Sequence, residues 1–195
     1  MGLSIHYSGT IKQAELVDAL ITETKDICES FKWIFYLFDG NNGDNIKGIC
    51  FSPEGCEPIF LTFLPGGRMC SPINLMYPDI YDGDKSDKEL MYTTSTKTQF
   101  AGIDAHKAII KLLRYLKEKY FAVFEFSDEG LYWETNDEKV LQSQFDKYGF
   151  ILDSFTAALS KMKAVPDETA SSLADRIEEM FRKDFGIDKD EGASQ

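Results

Sequence analysis

Leu141, Phe145, Tyr148, Leu152, Phe155, Leu159 and Met162 recur at alternating steps of four and three. That spacing aligns apolar side chains along one helix face and suits the face to packing against another helix. At 1.5 Å per residue it predicts about 33 Å of helix. Thr135 followed by Glu138 forms a capping box ahead of it, and Pro166 and Asp167 punctuate its far end. Beyond them Leu173, Ile177, Met180, Phe181 and Phe185 line a second amphipathic helix, with Gly186 placed as a C-cap. The short link favours an antiparallel pair, either core within one subunit or the seam of a homodimer.

The rest of the chain alternates strand and helix patterns. Leu3 to Tyr7 reads as a short strand, and Thr10 with Gln13 as a capping box before a helix over 12–30 with Leu16, Val17, Leu20, Thr24, Ile27 and Phe31 on its face. The unbroken run Trp33 to Phe38 predicts a central strand buried on both faces. Ile46 to Phe51 and Glu57 to Leu64 flank Ser52, Pro53, Glu54 and Gly55, whose proline at the second and glycine at the fourth position predict a hairpin through a type I turn. Between residues 65 and 88 no period persists. Met91 to Phe100 predicts a half-exposed strand. Gly102 and Asp104 then introduce a helix that buries Ile109, Leu112, Leu113, Leu116 and Tyr120. Phe121 to Phe126 and Leu131 to Trp133 predict a last short hairpin.

Hairpins outnumber parallel crossovers, so the predicted class is α+β: a mainly antiparallel sheet with helices packed on one face and a C-terminal antiparallel helix pair. The predicted organisation is a sheet domain over 1–135, the helix pair over 136–186 and a disordered tail over 187–195, where the chain becomes too polar to bury anything.

The chain has 195 residues, long enough to build a core without disulfide or metal support. Its formal net charge is −12, spread along the sequence, which repels phosphate backbones and argues against nucleic-acid binding. The local exception is the helical face of Lys107, Lys111, Arg114, Lys117 and Lys119, read as a solvated surface that pairs with the protein's own carboxylates. Cys28, Cys50, Cys56 and Cys70 lack CxxC spacing and are read as reduced, mostly buried thiols. The first residues lack the basic and apolar regions of a signal peptide, and no apolar run spans a bilayer, so the expected location is the cytoplasm, away from membranes.

No residue pattern carries a catalytic constellation. The two histidines, His6 and His106, bound any imidazole chemistry, and His106 falls in the first turn of its helix, where the dipole disfavours its charged form. The 65–88 segment brings Arg68, Met69, Tyr77, Asp79, Tyr81, Asp82 and Asp84 into a long connection of the kind used for contacts. Its aspartates do not match a calcium loop: counted from Asp82, the sixth position is Asp87 instead of glycine and the twelfth Thr93 instead of glutamate. No metal or cofactor is expected. The leading expectation is a non-catalytic acidic protein that binds a protein partner or self-associates through its helices. The candidate contact residues are Arg68, Tyr77, Asp79, Tyr81, Asp82, Asp84 and His106. The alternative is a small-ligand or metal-dependent hydrolase-like enzyme that gathers His106 and the 65–88 loop into one cleft.

Overall fold

Alternation of apolar residues continues past Tyr7, and the first strand, β1 (Ser4–Ile11), extends accordingly, burying Ile5, Tyr7 and Ile11 on one face. This is seen in a computed structural model that describes residues 2–41, 45–75, 92–160 and 169–185. Thr10 lies within β1 opposite Val123 and does not cap the next helix. Helix α1 (Leu16–Phe31) begins instead from turns in which Leu16 and Val17 donate to the carbonyls of Gln13 and Ala14, at 3.0 and 3.2 Å. At its far end Lys32 adopts φ 58°, and its N–H closes onto the carbonyls of Cys28 and Glu29.

The apolar run that follows forms β2 (Ile34–Asp39), but at an edge. Among the described residues its only ladder is antiparallel to β3 (Lys47–Ser52), which pairs in turn with β4 (Ile59–Phe63). The prediction of a doubly buried central strand is therefore corrected. Phe35 packs toward α1, whereas Ile34 and Tyr36 face outward and are exposed. The expected β3–β4 hairpin is present, with its turn shifted by one residue. Cys56 N–H donates to the Pro53 carbonyl at 3.0 Å and Gly55 takes φ 73° at the third position, the left-handed corner of a type II turn.

The start of the predicted irregular segment is regular. After Pro65 and Gly66 the chain doubles back, with Leu64 N–H bonded to the Arg68 carbonyl and Cys70 N–H to Thr62. On its other side Met69 N–H reaches the Gly9 carbonyl, and Ile11 N–H reaches Gly67, at 2.8 and 2.9 Å. This stitch joins the β2-β3-β4 sheet to a second antiparallel sheet of order β5-β1-β6, in which β5 is Thr94–Lys97 and β6 is Phe121–Asp128. A single helical turn, α2 (Pro72–Leu75), precedes residues 76–91, which lie outside the described set.

Helix α3 (Gly102–Tyr120) buries the predicted Ile109, Leu112, Leu113, Leu116 and Tyr120, together with Ile110 and His106. Helices α1 and α3 share one core with Ile5, Tyr7, Ile49, Phe51, Leu61 and Phe63 of the sheets, so the helical layer covers one sheet face as predicted. The expected hairpin after β6 does not form. Residues 132–135 wind into a helical turn, α4 (Tyr132–Thr135), and β6 pairs with β1.

Helix α5 (Glu138–Ser160) follows, and α6 (Ala170–Phe185) is the last described element. Thr135 does not cap α5. Asp137 does, accepting the Lys139 N–H at 2.8 Å. The chain divides into compact units Met1–Tyr148 and Gly149–Gln195, with the boundary inside α5. In the first unit the apolar stripe of α5 begins as core, with Leu141 fully buried and Phe145 packed against it. In the second unit both predicted helices are present as helices; the structure does not clearly show that they pack as a pair.

Candidate functional site

Of the sequence candidates, the two that are described, Arg68 and His106, do not share a cleft. Tyr77, Asp79, Tyr81, Asp82 and Asp84 lie outside the described residues. His106 is sealed, at 0% exposure, and Arg68 is exposed on a different part of the first unit.

His106 stands in the first turns of α3, where Thr98 Oγ1 meets its Nδ1 at 2.8 Å and Asp128 Oδ2 meets its Nε2 at 3.2 Å. Thr98 is fully buried and Asp128 is 3% exposed. A hydroxyl, an imidazole and a carboxylate in line have the order of a hydrolytic relay, but a nucleophile must reach substrate, and no surface here opens to one. The cluster instead ties elements together. Asp128 ends β6 and accepts the N–H groups of Gly130, Tyr132 and Trp133 at 2.7, 2.8 and 2.9 Å. Those bonds wind α4. Burial raises the Asp128 carboxyl, but the His106 contact and the backbone donors outweigh it and hold the group below its ordinary range. Gly130 has no room for a side chain, because a Cβ there would sit 2.8 Å from Leu141, 3.0 Å from Asp128 Oδ1 and 3.0 Å from His106 Nε2.

The four cysteines are free. Burial pushes the thiols of Cys28 and Cys56 up to about 12, and that of Cys50 upward, so at neutral pH none of these three carries a reactive thiolate. Among the described residues no three His, Cys, Asp or Glu side chains are grouped as a metal site would need. The basic helical face is largely engaged within the chain. Lys107 pairs with Glu138 at 2.8 Å, Lys119 with Glu23 at 2.8 Å, and Arg114 donates to Asn136 and to the carbonyls of Tyr132 and Trp133. Among the described residues no helix is long and apolar enough to cross a membrane.

Among the described residues two surfaces stand out as open to a ligand or partner. On the sheet face away from α1 and α3 a groove of about 430 Å³ is lined by Ser8, Thr10, Arg68, Tyr92, Val123 and Glu125. The Arg68 guanidinium carbon lies 3.4 Å from the centroid of the Tyr92 ring. At the opposite end of the sheets, β2 and the end of α1 expose Ile34 at 81%, Tyr36 at 65% and Phe31 at 61%. Sequence reasoning singled out Arg68 but missed this apolar edge, because a continuous aromatic run carries no sign of which side a second strand will take. The missing charge in Ile34–Phe38 was the available signal.

Comparison with known proteins adds no identification: no family model matches the chain, and neither the curated proteins nor the solved structures yield a significant match.

Proposed function

We propose that this protein acts by binding rather than by catalysis, and that an extended, positively charged segment of a partner protein adds as a strand to the open side of β2. The observation that carries the reading is the unguarded edge. Sheet edges in stable monomers are blunted by lysine, proline, bulges or a covering element. Ile34 to Phe38 contains none of these residues, its ladder with β3 runs in register from Ile34 to Asp39, and no described strand pairs its outer side. The outward side chains Ile34 and Tyr36, with Phe38 edge-on to Tyr36 at 5.2 Å, supply the alternate pockets by which strand addition acquires specificity. A net charge of −12 steers a cationic partner and repels a second copy of the chain.

The test uses extended peptides of alternating apolar residues with lysine flanks. Saturable binding is expected, with β2 amides gaining hydrogen-exchange protection and Tyr36→Lys abolishing both effects. Protection elsewhere, or binding unchanged in Tyr36→Lys, overturns the reading. Light scattering that shows a dimer abolished by Tyr36→Lys overturns the choice of partner, since the edge would then serve a second copy.

A further inference from the structure

We infer that the Arg68–Tyr92 groove is a second, separate binding site for a small hydroxylated organic anion, with Arg68 holding a carboxylate or phosphate and Glu125 accepting hydroxyls. Arg68 is fixed at both ends. Its carbonyl accepts the Leu64 N–H at 2.9 Å, its backbone bridges to Thr10 of β1, and its guanidinium carbon sits over the Tyr92 ring, 3.4 Å from the centroid. Stacking of this kind uses the π face and leaves the in-plane N–H groups directed outward, in the fork that matches two oxygens of one anion.

Among the described residues none accepts from those donors. Among the described residues no carboxylate lies within ion-pair distance of Arg68. Arg114, by contrast, is consumed by one side-chain and two backbone acceptors. A charged donor held rigid and exposed costs side-chain entropy without an internal bond in return, and a bound anion would supply one.

The far wall sets the rest of the ligand. Glu125 accepts the Ser8 hydroxyl at 3.3 Å and keeps further lone pairs for donors, so it repels a ligand anionic throughout and accepts one with hydroxyls beyond its acidic group. Ser8 and Thr10 add hydroxyls along the same wall. A sugar acid and a sugar phosphate share this chemistry.

The test is an amide NMR titration of the full chain with gluconate, glucose 6-phosphate and propionate. Saturable shifts are expected at residues 8–10, 68 and 92–93 with gluconate, glucose 6-phosphate or both. Propionate should bind at least about tenfold more weakly. A response to gluconate alone assigns a carboxylate ligand; one to glucose 6-phosphate alone assigns a phosphate. Arg68→Gln should weaken binding by about tenfold or more, and Tyr92→Leu, which releases the guanidinium, should weaken it less. The two variants guard against one failing to fold. No saturable shift with either hydroxylated anion, equal binding of propionate, or affinity unchanged in both variants overturns the proposal. None of these results bears on β2.

Discussion

Thr24 is fully buried on α1, and its hydroxyl finds no hydrogen-bond partner among the described residues. An unsatisfied buried hydroxyl costs roughly 1–3 kcal/mol, and valine has nearly the same shape. Thr24→Val is therefore expected to stabilise the protein by about 1 kcal/mol, read as a higher urea midpoint with an unchanged slope. Asp128 is the opposite case. Its carboxylate satisfies three backbone N–H groups and the His106 ring, so Asp128→Ala orphans all four and is expected to cost about 3 kcal/mol or more. The loss should be visible in urea unfolding followed by Trp133 fluorescence. A cost below about 1 kcal/mol would show that the cluster is not the staple described above.

At the scale of elements, α1 and α3 are joined by one carboxylate. Glu23 accepts the hydroxyls of Tyr115 and Tyr120, each at 2.5 Å, and pairs with Lys119. Partial burial raises its carboxyl, but these bonds, that from Lys119 foremost, bring it down from 4.5 to about 2. A group whose folded value is depressed stabilises fully above its unfolded value and loses that contribution as the pH falls through the folded one. The helix pair should therefore weaken between pH 4.5 and about 2. Glu23→Gln is expected to flatten the acid limb of the stability profile in that window and to lower stability at pH 7, as measured by thermal melts across pH. An acid limb as steep in the variant as in the native chain would refute the assignment.

Elements differed in how far they could be read from the chain. The buried face of α3 was legible because a helix repeats its contacts every 3.6 residues and so writes them as a period. The turn α4 was not legible, because Leu131, Tyr132 and Trp133 suit a strand by propensity and only the Asp128 carboxylate, brought there by β6, winds them into a helix. Thr135 was misread as a cap for a related reason. The true cap, Asp137, stands two residues later and has no glutamate three residues on to complete a capping box, and the position of α4 decides between them.

For the molecule as a whole, the first unit places a helical layer on one sheet face, and among its described residues none covers the other face or pairs the outer side of β2. The candidate site was half legible in the chain. Arg68 stood out after a glycine pair at the start of an irregular stretch, but its value as a donor depends on Tyr92, more than twenty residues away and stacked on it in the folded chain. His106 stood out by rarity, and tertiary structure turned it into a buried tie.

Composition and periodicity determined the α+β class, the long helices, the β3–β4 hairpin and the acidic character, because each is written in residues close along the chain. Which strand became an edge, which carboxylate wound a turn and which arginine came to stack on a tyrosine were decided only by tertiary structure. Those outcomes depend on partners far apart in sequence, and local chemistry is silent about a neighbour that folding has yet to supply.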